Sequence, residues 1–373
     1  MSQIAPNFPR ISGSYLVLEL TNLCNLSCVH CAVSDETALH HFQTGYLDPA
    51  LATNLVNDLI QNQVQFDTLI LFWLGEPLLH PQFAKIYRLF LRASRDFGIF
   101  QSIEVHTNAV RLDAVTQRIF LNHVSVPQRI HCTLDAQSAQ TYQKIKGRDY
   151  LAIAQRNTMA FLQKKAALGI ENPQILLQYI VGSNNAAEVS SFRAFWRQKF
   201  EENQSEMAEF VGVIPHQKRR SDGLFFRQLD CPTTEMQNFE NQVFATTMLE
   251  EGLKLPKPPK TEIILENQGV CSGFWKSPVI DWQGNLTMCT RDNELQNSIG
   301  SIANESFSKL WWSQKMHQNR SQVSKSCYDN LRQCQDCFIP QSLNHVDISK
   351  HEITEYAKFQ PNWIDADVET QQT

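Results

Sequence analysis

Three cysteines stand close together near the start of the chain, in Cys24-Asn-Leu-Ser-Cys28-Val-His-Cys31. Thiolate sulfur is a soft donor that selects zinc or iron–sulfur clusters over harder cations. Three thiolates on one short loop can hold three corners of a cubane cluster and leave the fourth iron open to a substrate or cofactor. Structural zinc asks for four tetrahedral protein ligands, and His30, directly beside Cys31, is badly placed to be the fourth. A ligand from elsewhere in the chain would still permit zinc. A second set lies far downstream, with Cys271, Cys289 and then Cys334-Gln-Asp-Cys337. Four converging thiolates would accept either zinc or an iron–sulfur cluster. The other three cysteines stand apart. Cys132, in an apolar run, reads as a buried structural thiol, while Cys231 and Cys327 are candidates for either inert thiols or hydrogen-atom donors.

Alternating strand-like and helix-like runs between residue 15 and about 215 argue for βα units around a parallel sheet. Strands are predicted over 15–20, 68–74, 102–107, 129–134, 174–181 and 209–214. Helices are predicted over 49–63, 81–97, 150–168 and 186–203, and another, capped by Asp113, runs to 122. Chemistry in such sheets gathers at the C-terminal ends of the strands. Those ends carry Gly75-Glu76-Pro77, His106-Thr107-Asn108, Thr133-Leu134-Asp135 and Ser183-Asn184-Asn185. Away from that position, Gly-Glu-Pro would be a turn, and Asn108 and Asp135 ordinary caps. Strand alternation predicts Thr133 and Asp135 on one face, with Cys132 and Leu134 on the other.

Downstream, 216–269 lacks clear periodicity and contains the proline-rich Lys254-Leu-Pro-Lys-Pro-Pro-Lys260, a linker signal. The segment is expected to wrap past the sheet and shape a substrate entrance. A hairpin is predicted over 279–289 around Gln283-Gly284-Asn285, then a helix over 306–316 with Trp311 and Trp312 near its buried face. The chain thus divides into a barrel (1–215), a linker (216–269), a cysteine-bearing extension (270–340) and a tail (341–373) whose last ten or so residues are expected to be disordered.

Net charge is −5, from 38 acidic and 33 basic residues, and no long basic stripe appears, so nucleic acid is a poor partner. No apolar run approaches the ~20 residues that span a bilayer, and Met-Ser-Gln-Ile-Ala-Pro has no charged-then-apolar signal pattern. Ten cysteines without such a signal point to a reducing compartment, hence an expected cytoplasmic location, and to metal or redox chemistry.

The Cys24-x3-Cys28-x2-Cys31 loop resembles the signature of the radical S-adenosylmethionine (SAM) enzymes. The stretch Gly300-Ser-Ile-Ala-Asn-Glu-Ser-Phe-Ser-Lys-Leu-Trp-Trp, after the hairpin, resembles their C-terminal SPASM or twitch extension. The resemblance implies an α/β fold: a partial (βα)6 TIM-like barrel with a small C-terminal α+β iron–sulfur extension. It implies a 4Fe–4S cluster on Cys24, Cys28 and Cys31, whose open iron holds the amino and carboxylate groups of SAM. Reduction then cleaves SAM to a 5′-deoxyadenosyl radical that takes a substrate hydrogen atom. Gly75, Glu76 and Pro77 match a Gly-Gly-Glu-Pro motif at the methionine end of SAM, with Leu74 replacing the first glycine. His30, Asn108, Thr133, Asp135 and Ser183 fall where relatives meet adenine, ribose, carboxylate or substrate. Residues after 260 supply five cysteines, too few for two full sites, which implies one auxiliary 4Fe–4S cluster on Cys271, Cys289, Cys334 and Cys337. Its implied role is electron transfer, and Cys327 is the spare: a ligand in place of one of the four, a hydrogen-atom donor or a bystander.

The implied reaction is crosslinking, epimerisation or oxidation of a ribosomal peptide. Dehydrogenation or epimerisation of a small sugar or aminocyclitol is the alternative, and a non-catalytic zinc-binding scaffold is a remote one. A reductant such as flavodoxin or ferredoxin is implied as a partner. Many peptide-modifying relatives carry a leader-binding domain before the barrel, whereas about fourteen residues precede the first strand here, which weakens the peptide reading without removing it; a separate leader-peptide-binding protein could supply that function.

Overall fold

The computed structural model describes residues 13–34, 43–122, 125–212, 221–255, 269–335, 337 and 348–359. Short apolar runs form the first five strands: β1 (Tyr15–Leu18), β2 (Phe66–Leu71), β3 (Phe100–Thr107), β4 (Gln128–Thr133) and β5 (Gln174–Val181). Between them lie α1 (Pro49–Gln61), α2 (Phe83–Phe97), α3 (Ala114–Leu121), α4 (Ala139–Lys146), α5 (Leu151–Leu168) and, after β5, α6 (Val189–Glu202). Local chemistry marks the helix ends. The side chains of Asp48, Asp113 and Ser138 accept from first-turn N–H groups of α1, α3 and α4, and Gly98, Gly147 and Gly169 close α2, α4 and α5 in the left-handed conformation.

Two further strands follow, β6 (Met207–Val211) and β7 (Asp222–Gln228), then α7 (Thr234–Glu250). The C-terminal part adds α8 (Gly273–Lys276), β8 (Val279–Ile280), β9 (Asn285–Thr287), β10 (Gly300–Ser301), α9 (Phe307–Trp311), α10 (Gln314–Val323) and α11 (Lys350–Lys358). All ten strands join one sheet in the order β10-β9-β8-β1-β2-β3-β4-β5-β7-β6. It is parallel from β8 to β6, and β9 and β10 add antiparallel pairs. The sheet is an open α/β barrel, as the resemblance implies. Among the described residues, no helix is long and apolar enough to cross a membrane.

Alternation along the strands separates two environments. Leu16, Leu69, Ile103, Ile130, Ile175 and Leu224 point outward into the main hydrophobic core under the helices. Their neighbours face the concave side, where small apolar groups such as Leu176–Phe210–Phe225 and Val17–Trp73–Val279 sit among polar residues.

Several elements differ from the sequence expectation. The strand beside β5 is β7, inside the segment read as linker, and the expected sixth strand, β6, lies outside it at the edge. β7 carries only the short apolar run Leu224–Phe226, too brief to show a period, and it enters the sheet because Gly223 lets it close on β6. A Cβ at Gly223 would lie 2.0 Å from the Ala208 carbonyl oxygen. The helix expected over 306–316 breaks into α9 and α10 because Ser313 caps a new first turn, accepting from Met316 N–H. Helices α4, α7, α8 and α11 went unpredicted. The proline-rich stretch over 256–260 and the end of the tail lie outside the described residues.

Barrel and extension are joined by specific bonds. Glu19, just past β1 and 1% exposed, accepts from Leu74 N–H (3.0 Å) and Trp282 N–H (3.2 Å). Trp73 Nε1 donates to the Thr290 carbonyl (2.8 Å), and Asp58 on α1 accepts from both Ser308 N–H and its hydroxyl. Burial pushes the Glu19 carboxyl up to about 7; the two N–H groups resist that rise and Asp281 adds to it. Because the folded value exceeds the ordinary one of 4.5, the folded state holds this proton more tightly than the unfolded chain. The associated stability is complete below about 4.5 and is lost as pH rises through about 7, roughly 3 kcal/mol in all. Urea midpoints between pH 5 and 8 are therefore expected to favour Glu19→Gln progressively over the wild type as pH rises. A pH-independent difference between the two would contradict this.

Candidate functional site

The loop after β1 bends back along α4. Ser27 N–H donates to the Lys146 carbonyl (3.0 Å) and Val29 N–H to the Ile145 carbonyl (2.9 Å), so Cys28 is held between two backbone bonds. Gly147 (φ 72) fits against the same loop, since a Cβ there would lie 2.6 Å from the Ser27 carbonyl oxygen. Cys24 is exposed and Cys28 and Cys31 half-buried, and the three thiols stand near enough to repel one another as thiolates. Burial pushes the Cys24 thiol up to about 12, with Glu76, Cys28 and Cys31 adding to the rise. Cys28 is raised by burial too, while the Lys146 ammonium works against it. Such thiols become ligands by exchanging protons for metal. His30 is exposed beside them.

The Gly75-Glu76-Pro77 strand end packs directly on this loop. A Cβ on Gly75 would meet the Thr21 carbonyl oxygen at 2.2 Å and that of Leu23 at 2.6 Å, so only glycine allows the approach. Glu76 N–H donates to the Leu23 carbonyl (2.9 Å), and the Leu74 carbonyl lies 4.0 Å from Cys31 Sγ. The Glu76 carboxylate is buried and fully occupied, accepting from Leu78 N–H, the Thr107 hydroxyl and Asn108 N–H. Asn108 in turn donates its amide to Asn25 Oδ1 (2.8 Å) and points it at Cys24 Sγ (3.9 Å). Glu76 thus orders the strand ends that surround the thiols, and its own oxygens are not open to a ligand.

Asp135 departs from the expected strand geometry. Outside β4 and in the left-handed region (φ 59), it is fully buried, its carboxylate taken by Lys146 Nζ (2.5 Å) and Ile180 N–H (2.6 Å). Thr133 accepts from Gln178 Nε2 (3.2 Å). Ser183, exposed, is tied by its hydroxyl and N–H to Glu240 on α7. Lys146, which the sequence reading missed, is the cation behind the thiol loop. The signal available was Ser138, a cap with a helical run and Gly147 behind it.

The downstream thiols form a second group. Cys271, Cys289, Cys334 and Cys337 repel one another, and burial together with that repulsion pushes Cys289 up to about 11 and Cys334 up to about 12. Arg291 N–H donates to Cys289 Sγ (3.3 Å) and Asn297 Nδ2 to Cys334 Sγ (3.4 Å). The hairpin positions Cys289: Asp281 accepts from Gln283 and Asn285 N–H, and Gly284 takes φ 90. Cys327 stands outside this foursome, donating to Asp329 (3.5 Å). Cys231 is buried, its carbonyl accepting from Arg291 Nη2. Cys132 is buried on the outward face of β4.

Residues 271–338 match the SPASM family, an iron–sulfur cluster-binding domain. This segment is similar to SPASM domains. Its match contains all four converging thiols and the hairpin and helices that hold them. No curated protein matches the chain. Among solved structures, hexahistidine-tagged anSMEcpe with bound AdoMet superposes at TM-score 0.58 and 16% identity, covering 92% of this chain and 93% of that one. Streptococcus suis SuiB bound to S-adenosylmethionine gives 0.53 and 12%, covering 84% and 68%. BtrN in complex with AdoMet and 2-DOIA gives 0.46 and 16%, covering 89% and 96%, too distant a superposition to build on. At these identities the likeness is one of fold: the chain shares the open α/β barrel of these structures, and the segment that matches SPASM continues its sheet.

Proposed function

We propose that the protein is a radical SAM enzyme that modifies a peptide. The observation that carries this reading is the unequal pair of thiol groups, three on the loop after β1 and four in the SPASM domain. The donor sets suit a cluster with one open iron and a second that is fully ligated. With S-adenosylmethionine in place, the first would supply a 5′-deoxyadenosyl radical able to take a hydrogen atom from substrate.

The chain's own residues do the positioning. Lys146 and Gly147 fix the loop from behind, Gly75 brings β2's end against it, and Glu76 aligns Thr107 and Asn108 at its rim. His30, Thr133, Asp135 and Ser183 surround the same end of the barrel, where Asp135 and Ser183 contribute as fixed supports of the wall. Four thiolates leave no open position in the SPASM domain, so its part is electron transfer, tuned by the N–H groups of Arg291 and Asn297. A peptide substrate is favoured because the structures with the better superpositions include SuiB bound to its precursor peptide SuiA and anSMEcpe bound to Cp18Cys peptide.

Anaerobic reconstitution with iron and sulfide is expected to give brown protein with about eight irons per chain. With dithionite and SAM it should release 5′-deoxyadenosine and methionine, and a precursor peptide should leave with altered mass. Flavodoxin or ferredoxin is the expected reductant in place of dithionite. Colourless protein holding about two zinc ions, with SAM untouched, would refute the proposal.

A further inference from the structure

The concave face of the sheet carries charges that the two thiol groups do not use. Glu104 and His106 on β3, Arg129 and His131 on β4, and Phe225 and Arg227 on β7 alternate with outward core residues and so point into the lumen. Their rings make a continuous wall. Phe72 stacks on His106 (5.2 Å between centroids), His106 on His131 (4.1 Å), and Phe225 meets His131 edge-on (5.9 Å). The wall is reachable, for Phe72 is 38% exposed and Arg227 is exposed at the end of β7.

A charge ledger decides what such a lumen can hold. Glu104 is paired with Arg129 (2.6 Å), Asp135 with Lys146, and Asp230 with Arg291. Glu19 and Glu76 are occupied by backbone N–H groups. Burial holds both imidazoles in the neutral form, His131 at about 3 and His106 below the ordinary value. Both imidazoles turn Nε2 toward Glu104 Oε2, at 3.4 Å from His131 and 3.6 Å from His106, and His131 Nδ1, in a residue 3% exposed, has no hydrogen-bond partner within the protein. The Arg227 guanidinium, close enough for its charge to weigh on His106, makes no hydrogen bond or ion pair with a described side chain, and the carboxylates of Asp230 and Asp135 bear on it only from a distance. Among the described residues, Arg227 is therefore the lumen cation without a direct carboxylate contact, and it stands beside two neutral rings of which His131 keeps an open Nδ1.

We propose that the lumen binds a carboxylate group of the substrate, with Arg227 as its anchor and the His106–His131 stack as the polar wall beside it. This deepens the reading of a peptide-modifying enzyme, on which it rests, by naming a substrate class, one with an acidic side chain or a free carboxyl end. Glu104, His106 and His131 also have the donor set of a divalent metal, with ligand atoms within 4.8 Å of one another. A dication there would face both Arg129 and Arg227, so the ledger favours an anion. A phosphate dianion would bring two charges to one free cation, whereas a carboxylate matches it and fits the planar guanidinium fork.

The test uses the anaerobic holoenzyme without reductant and four probes: N-acetylglutamate α-amide, N-acetylglutamine α-amide, inorganic phosphate and Zn²⁺. Calorimetric titration is expected to show saturable binding of the glutamate probe and none of its neutral isostere. Arg227→Gln should weaken that binding at least about tenfold, and Arg227→Lys should retain part of it. Iron content and melting temperature report whether each variant is folded, and the wild-type comparison of acid with amide stands without any variant. Equal binding of acid and amide, or no binding of the acid, would overturn the proposal. Tighter binding of phosphate would replace the carboxylate by a phosphoryl group, and Zn²⁺ binding abolished by His131→Ala would assign the lumen to a cation; either result overturns it. SAM cleavage measured in parallel separates the two readings. Cleavage without acid binding sinks the carboxylate site alone, and acid binding without cleavage sinks the radical chemistry alone.

Discussion

Replacing Cys28 by alanine is expected to lower iron from about eight to about four per chain and to abolish reductive SAM cleavage. The size of the effect follows from the ligand count. Cys24, Cys28 and Cys31 are the only thiols of the loop, and Cys132 faces the opposite side of the sheet, buried in the core. Two thiolates cannot hold a cubane, and no neighbour can replace the third. Cys289→Ala should behave in the opposite sense. It removes the same number of irons, leaves 5′-deoxyadenosine formation in place, and prevents product release if the SPASM cluster carries an electron away from the substrate. Iron and sulfide analysis with 5′-deoxyadenosine assay on both variants distinguishes the two sites. Equal loss of cleavage in the two would mean that the thiol groups do not have separate roles.

The thiols could be read from spacing because ligation imposes a local pattern, and the Gly-Glu-Pro strand end because glycine is demanded by a close backbone contact, here with Thr21 and Leu23. What escaped was set by tertiary contact. β7 is a core strand with three apolar residues in a row, and its place beside β5 is decided by a glycine against β6 and not by any period of its own. Lys146 is one of two lysines in a short helix, and only the fold turns it inward to Asp135. Asp135 itself looked like a strand-end ligand by alternation, but the chain leaves β4 at Thr133 and the left-handed turn redirects the side chain. The lumen charges did leave a trace. Glu104 and His106 alternate with apolar residues, as do Arg129 and His131, a period-two polarity that marks a strand whose inner face is not pure core. Arg227 had no such trace, since its strand was not recognised.

Lys146→Met is expected to destabilise the protein by about 3–5 kcal/mol and to loosen the thiol loop. Lys146 is 3% exposed, and its ammonium lies 2.5 Å from Asp135 in a site where that carboxylate is fully buried. Although burial works to lower it, Asp135 and Cys28 hold the lysine pKa above its ordinary value, so the ammonium keeps its charge in this buried site. Removing one partner leaves a buried carboxylate with Ile180 N–H as its remaining contact, which costs more than the pair itself contributes. The consequence reaches the thiols because the Ile145 and Lys146 carbonyls anchor Val29 and Ser27 on either side of Cys28. Two measurements separate stability from the local effect. Urea unfolding should show most of the loss recovered in Lys146→Met/Asp135→Leu, because both charges then leave together. The cluster's midpoint potential, read by EPR in redox titration, should fall in Lys146→Met and recover only in part in the double variant, since withdrawing a cation near Cys28 disfavours adding an electron there and removing the weaker influence of Asp135 offsets part of that loss. An unchanged potential would show that Lys146 holds the loop by packing alone, and an unchanged unfolding midpoint would show that Asp135 has another partner.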